Sequence, residues 1–136
     1  MVEDVELIAK AIEARKYAYT PYSHYQVGAA LLTQEGEIYT GCNVENAGYT
    51  PCNCAERTAI FKAVSEGKQK FKKIAIVGGK AGKTLDFCPP CGVCRQVLRE
   101  FVKEDTFQII VAKSEEEYEK FTLKELLPYS FGPEFL

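Results

Sequence analysis

The spacing of apolar positions divides this chain into alternating helical and extended segments. Across residues 5–19, Leu7, Ile8, Ala11, Ile12 and Ala18 fall on one face and Lys10, Glu13 and Lys16 on the other. That period predicts a first helix, ended ahead of Thr20-Pro21 because proline disfavours the α conformation in the residue before it. Two short apolar runs, residues 26–33 and 38–44, flank a turn containing Glu35-Gly36 and read as a β-hairpin. Residues 55–66 form a second helix with Ala59, Ile60, Ala63 and Val64 inward and Gly67 as its stop. A buried-type strand at 73–77, a glycine-rich turn, a helix at 91–102 and a strand at 107–112 follow. Strand, helix, strand implies a parallel pair joined by a right-handed crossover. Ser114 with Glu117 fits a capping box, but a turn into a last strand at 118–121 is the favoured reading. Thr122 with Glu125 is a second capping box, for a short helix to Leu127 that stops at Pro128. With no repeat, linker or low-complexity stretch, residues 1–136 read as a single α/β domain: a mixed sheet of about five strands with helices on both faces.

A chain of 136 residues buries roughly 68% of the surface its unfolded form exposes, so a core needs no disulfide staples. Seventeen basic against nineteen acidic residues leave a net charge of −2, without a basic stripe, which disfavours a nucleic-acid partner. No apolar stretch reaches the roughly 20 residues that cross a bilayer, and Met1-Val2-Glu3-Asp4 is charged where a signal peptide would be apolar. The expectation is a soluble, cytoplasmic protein without a membrane partner. In a reducing compartment, six cysteines with C-x-x-C spacing point to metal or redox chemistry rather than disulfides.

Cys91 and Cys94, at i and i+3 on the helix introduced by Pro89-Pro90, lie on one face, so both sulfurs reach one ion. Cys54 and Glu56 are two apart, a spacing that converges only on an ion just beyond a helix start. Three thiols and a carboxylate fit a zinc site whose fourth position stays open. Helix N-termini lower thiol pKa values. Three thiolates on Zn²⁺ still carry one net negative charge. Arg57, three residues after Cys54, and Arg95, four after Cys91, are placed to offset it by donating to sulfur.

Several residues compete with this reading. Cys88 makes its own C-x-x-C with Cys91 and would close the zinc as a Cys₄ structural site or form a redox pair, leaving Glu56 without a task. Cys42 and Cys52 read as small buried residues. Residues 78–84 resemble a phosphate loop but have three residues between Gly78 and Gly82 where that loop has four, and read as a flexible turn. His24, the only histidine, reads as a surface residue.

Cys54-Ala55-Glu56, followed some thirty-five residues on by Pro90-Cys91-Gly92-Val93-Cys94, resembles the zinc-dependent cytidine deaminases. The resemblance extends over Pro21-Tyr22-Ser23, Val27-Gly28-Ala29-Ala30-Leu31, Gly41-Cys42-Asn43-Val44-Glu45-Asn46, Cys54 to Ala59, Pro90 to Gln96 and Glu125-Leu126-Leu127-Pro128. It is closest to the short, all-cysteine, homotetrameric branch. It implies the three-layer cytidine-deaminase fold and one Zn²⁺ per subunit on Cys54, Cys91 and Cys94. It also implies a hydrolase of pyrimidine salvage that converts cytidine and 2′-deoxycytidine to their uridine products plus ammonia. A zinc-activated hydroxide attacks C4 while Glu56 shuttles protons. By the same resemblance Asn43 and Glu45 bind the ribose, and Ala55 and Tyr25 line the base site, Tyr25 standing where phenylalanine is common. Phe131 and Tyr49 serve sites completed by neighbouring subunits of a homotetramer. Read alone, Asn43 and Glu45 are an exposed polar pair after a strand, and the aromatics are ordinary contact area.

Two other functions stay open at this point. Blasticidin S deaminase shares the zinc motif but reads a different sugar, for which Asn43 and Glu45 are less suited. A non-catalytic structural-zinc or thiol-redox protein is supported mainly by Cys88.

Overall fold

The computed structural model describes residues 2–136. Helix α1 (Asp4–Arg15) leads into the hairpin β1 (Tyr25–Thr33) and β2 (Ile38–Cys42). Then come α2 (Ala55–Ser65), β3 (Phe71–Lys80), α3 (Gly92–Phe101), β4 (Gln108–Ala112), β5 (Tyr118–Thr122) and the one-turn α4 (Leu123–Leu126). The strands form one sheet in the order β2-β1-β3-β4-β5. Only β3 and β4 run parallel, with α3 as their crossover, and the other neighbours are antiparallel.

Alternation along the strands sorts the core into two layers of side chains. Ala29, Leu31, Ile74, Ile76, Ile109 and Val111 face α2, α3 and α4, meeting Ala59, Ile60, Leu98 and Leu123. Ala30, Leu32, Ala75, Val77, Ile110 and Ala112 face α1, meeting Leu7, Ile8 and Ala11. Each fully buried Leu or Ile here contributes about 2 kcal/mol, so this two-sided sheet carries the fold. The mixed five-stranded sheet with helices on both faces is the expected architecture.

Two boundaries differ most from the sequence reading. Helix α1 ends at Arg15 rather than Tyr19, because Tyr19 is drawn into a bridge with Val44: its N–H bonds the Asn43 carbonyl at 3.0 Å and its carbonyl accepts from Glu45 at 2.9 Å. The Arg15 guanidinium closes that end by donating to the carbonyls of Gln26 and Gly79, both at 2.8 Å. Strand β3 runs to Lys80, so Gly78 and Gly79 are strand residues paired with Val27 and Gln26 rather than a flexible turn. The chain reverses beyond them, at Ala81-Gly82. As expected, Ser114 opens a turn into β5 rather than a helix, its hydroxyl accepting from the N–H groups of Glu116 and Glu117. The Thr122/Glu125 capping box forms and starts α4.

Close backbone approach sets where α2 begins. A Cβ at Gly41 would lie 2.5 Å from the Ala55 carbonyl oxygen and 2.6 Å from the Ala59 nitrogen. Only glycine lets the first turn of α2 press on β2, and that turn carries Cys54 and Glu56.

Candidate active site

Two helix starts meet on the α2/α3 side of the sheet. Cys54 is the N-cap of α2 and Cys91 the N-cap of α3, both in extended conformation, and Cys94 lies buried in the first turn of α3. Their sulfurs all lie within 4.8 Å of one another, with Cys54 Sγ and Cys91 Sγ 3.7 Å apart. A tetrahedral zinc with Zn–S bonds of about 2.3 Å separates its sulfurs by about 3.8 Å, so the donor set fits the ion. A disulfide needs about 2.04 Å. Among the described residues, these three form the one cluster with metal-ligand spacing.

Cys88 is not part of that cluster. A Cβ placed on Gly78 would meet Cys88 Sγ at 2.7 Å and the Tyr25 ring at 3.3 Å, which locates both side chains over β3. A Cys₄ site would need the Cys88 sulfur among the other three. Burial pushes its thiol upward in pKa, against the thiolate that a ligand must supply.

Charge in the cluster is organised around Cys54. Its thiol is held well below the ordinary value, first by a hydrogen bond from the Cys94 thiol and then by the Arg57 guanidinium, whose Nη2 lies 3.2 Å from Cys54 Sγ. Burial works against the Arg57 charge, but its bonds to Cys54 and Cys94 outweigh it and keep the guanidinium protonated. Arg95 departs from expectation. Its Nε donates to the Pro90 carbonyl at 2.7 Å and its Nη1 to the Leu126 carbonyl at 2.6 Å, so it ties α3 to α4 instead of donating to Cys91.

Glu56 occupies the second position of α2 and is 4% exposed. Burial pushes its carboxyl up to about 7, and the neighbouring Cys54 charge pushes the same way. A carboxyl in that range both accepts and returns a proton near neutral pH.

The remaining predicted residues spread outward from this centre. The Asn43 amide joins the ends of β1 and β2, accepting from Val27 N–H at 2.9 Å and donating to the Tyr25 carbonyl at 2.8 Å. One amide hydrogen and one lone pair are left over. The Glu45 carboxylate receives the N–H groups of Tyr22 and Ser23, each at 3.1 Å, together with the Ser23 hydroxyl, and is thereby held below the usual carboxylate range. Ala55 is fully buried, and its main-chain N–H lies in the first turn of α2, whose donors have no partner within the helix. Tyr49 is 75% exposed and adopts a left-handed φ of 59°. Phe131 is 55% exposed and stacks on Phe135. Cys42 and Cys52 are partly rather than fully buried, and Cys52 accepts the Asn46 N–H at 3.2 Å. His24 is exposed.

Sequence reasoning left the Tyr25 hydroxyl without a partner. The structure supplies Cys88 and Asp86; burial first, and these two neighbours after it, hold the phenol protonated far above its ordinary pKa. Ser23 as the clamp on Glu45 was also missed; the Pro21-Tyr22-Ser23 turn is its one signal. Nothing in the sequence marks Asp86, which is held against β3 by the backbone bond from its N–H to the Gly78 carbonyl at 2.7 Å.

The chain is similar to known proteins along nearly its whole length. Residues 1–110 match the family described as the cytidine and deoxycytidylate deaminase zinc-binding region. The chain is 47% identical to the cytidine deaminase of Sporosarcina psychrophila over 134 residues, covering 98% of this chain and 95% of that protein. A crystal structure of cytidine deaminase from Burkholderia pseudomallei superposes with a TM-score of 0.86 at 42% identity, over 96% of this chain and all of that one. Similarity to the blasticidin-S deaminase of Bacillus cereus is more distant, 31% over 133 residues, or 95% of this chain and 92% of that protein. With its three thiols gathered as a zinc site and its likeness running along nearly the whole length of these relatives, the chain belongs to the cytidine and deoxycytidylate deaminase family.

Proposed function

We propose that this protein hydrolyses cytidine and 2′-deoxycytidine to uridine and 2′-deoxyuridine, releasing ammonia. The observation that carries the reading is the pairing of a three-thiol cluster with a buried carboxyl at the same helix start, a donor set that leaves the fourth position of a zinc ion free. Cys54, Cys91 and Cys94 would hold the ion. Zinc bound there supplies Lewis acidity, drawing the pKa of water toward neutrality. Arg57 offsets part of the thiolate charge by donating to Cys54 Sγ.

Glu56 moves the protons. Its carboxylate accepts one from the attacking water and passes it to N3 of the pyrimidine, then takes the proton of the new C4 hydroxyl and passes it to the amino group leaving C4, so that the C4 carbonyl forms as ammonia departs. Water adds, ammonia leaves, and no redox step is needed. Asn43 and Glu45 offer the ribose an amide hydrogen and a charged acceptor already fixed by their own partners. That pair favours a nucleoside over blasticidin S. Tyr25 flanks the base, the Ala55 N–H meets it from α2, and Phe131 and Tyr49 complete pockets of neighbouring subunits in a cytoplasmic homotetramer of single-domain chains. Net charge of −2 is consistent with a free nucleoside rather than a polynucleotide substrate.

The test follows ultraviolet absorbance of cytidine, deoxycytidine, cytosine and blasticidin S with the zinc-loaded protein and with Glu56→Gln. Turnover of the two nucleosides, reduced by about 10²- to 10⁴-fold in the variant, is expected. Zinc-loaded protein that turns over neither nucleoside would falsify the proposal, and light scattering that gives a monomer would remove the shared pocket.

A further inference from the structure

The last nine residues contribute little to the core. Of residues 128–136 only Gly132 is buried, and Phe131, Phe135 and Leu136 are 55%, 63% and 100% exposed. Hydrophobic burial therefore does not hold this segment. Polar groups on α3 do. Arg99, 8% exposed, donates from Nε to Ser130 Oγ at 2.7 Å and pairs with Glu104 at 2.8 Å, while its Nη2 pairs with the Glu134 carboxylate. Ser130 Oγ donates in turn to Glu104 Oε2 at 2.8 Å. Gln96, one turn earlier on the same face, donates to the Phe131 carbonyl at 2.9 Å.

Gly132 completes the fit. A Cβ there would lie 2.4 Å from the Arg99 guanidinium carbon, so the segment can fold over that charge only because residue 132 has no side chain. The outcome is a segment fixed at Ser130, Phe131 and Glu134 whose aromatic edge points away from its own core. The Phe131 and Phe135 rings stack 5.3 Å apart at 17°.

We infer that Arg99 is a positioning residue, latching residues 130–134 to α3 so that the Phe131 ring is presented to the substrate pocket of a second copy of this chain. The inference rests on the reading above that Phe131 completes a neighbour's pocket. The latch lies about 7.5 Å along the helix axis from Cys94, at 1.5 Å per residue. One rigid helix thus carries both a metal ligand of its own site and the anchor for the arm it lends. A free arm would spend much of its time away from the pocket, and affinity falls by the fraction of time the competent arrangement is lost.

The test compares zinc-loaded wild type with Phe131→Ala, Arg99→Gln, Glu134→Gln and the double variant R99Q/F131A, measuring KM and kcat separately, with zinc content and subunit mass alongside. Phe131→Ala is expected to lower kcat/KM by about tenfold or more, the scale of one lost base–aromatic stack, chiefly through KM. Arg99→Gln and Glu134→Gln should act in the same direction by about three- to tenfold, the scale of one lost net hydrogen bond, with zinc content unchanged. If Arg99 acts only through Phe131, Arg99→Gln adds less than about twofold in the F131A background. An equal loss in both backgrounds, or a wild-type KM in Arg99→Gln and Glu134→Gln while Phe131→Ala is impaired, overturns the latch. Wild-type kinetics in Phe131→Ala instead sink the reading of Phe131 and the latch's purpose with it. Should Arg99→Gln not fold, Glu134→Gln, whose side chain is 55% exposed, carries the comparison.

Discussion

Gly41→Ala changes a residue that touches no ligand, yet it acts on the start of the helix that holds Cys54 and Glu56. The new methyl would meet the Ala55 carbonyl oxygen at 2.5 Å, the Ala59 nitrogen at 2.6 Å and Thr58 Cβ at 3.0 Å. The first two are main-chain atoms that cannot rotate aside. Ordinary contact begins at 3.4 Å, so the first turn of α2 must retreat by about 0.9 Å or β2 must bend away by as much. Forcing one methyl into packed structure costs about 1–3 kcal/mol, and the gain of about 0.4–1 kcal/mol from a stiffer unfolded chain offsets only part of it. For a chain of this size the net loss of about 0.6–2 kcal/mol lowers Tm by about 2–7 °C. A displacement near 1 Å at the reacting groups costs about 10²-fold in rate.

Three measurements on one sample separate these effects: thermal unfolding, zinc retention against a competing chelator, and kcat on cytidine. Gly36→Ala is the control, because Gly36 lies at the far hairpin turn with φ +96° and nothing within 4 Å of a new Cβ. It should lose about 1 kcal/mol of stability from backbone strain while its zinc-loaded form keeps wild-type kcat. Gly41→Ala with wild-type Tm and kcat, or a Gly36→Ala variant equally impaired in turnover, would refute the argument that α2 docking aligns the site.

Three further outcomes are expected. Arg57→Gln removes the donor 3.2 Å from Cys54 Sγ and should weaken zinc binding by about tenfold, read by chelator competition. Tyr25→Phe deletes the hydroxyl that bonds Cys88 and Asp86; unfolding free energy should fall by about 1 kcal/mol in urea with KM for cytidine within about twofold, whereas a tenfold kcat loss would place that hydroxyl in the chemistry. Asp4 loses some of its tendency to ionise through burial, but its bonds to Lys73 at 2.6 Å and Lys120 at 2.9 Å outweigh this and lower its pKa. A depressed folded-state pKa stabilises above the unfolded value and is lost as pH falls through the folded one. Asp4→Asn should therefore cost about 1 kcal/mol at pH 7, and the gap from wild type should close under acid, as followed by Tm against pH.

Much of the fold is legible in the chain because its periodicities are undisturbed. Leu7, Ile8 and Ala11 mark the face of α1, and runs such as Ile74-Ala75-Ile76-Val77, buried on both sides, mark a central strand. What fails is set by partners distant in sequence. Nothing near Tyr19 announces that it will bridge Val44, and Gly78-Gly79 reads as a turn until β1 is known to lie beside it. Glycine is a breaker only where no neighbour needs a strand without side chains. The thiol cluster was readable for the opposite reason: i, i+3 spacing and helix N-caps are local, so Cys91 and Cys94 declare their shared face without reference to the rest of the chain. The tail latch was not, since Arg99, Ser130 and Glu134 meet across more than thirty residues and carry no motif.

Arg57 and Arg95 show where local geometry stops being informative. Each follows a cysteine at a spacing that puts it on the same helix face, and sequence offers no ground to separate them. The structure does so by what else is within reach. Arg57 sits beside Cys54 and Cys94 on a partly buried turn, where thiol sulfurs are its acceptors. Arg95 finds two bare carbonyls, Pro90 ahead of α3 and Leu126 at the end of α4, and a guanidinium fork satisfies both at 2.7 and 2.6 Å. Carbonyls at the ends of helices and turns need a donor, and an arginine that supplies two such bonds is worth more there than beside a half-exposed sulfur. Offsetting three thiolates then falls on Arg57 and on the two helix N-termini that hold Cys54 and Cys91. A site with one compensating arginine rather than two leaves more negative charge on its sulfurs. That charge acts on Glu56 in the same direction as burial, so the two together keep its carboxyl protonatable near neutral pH.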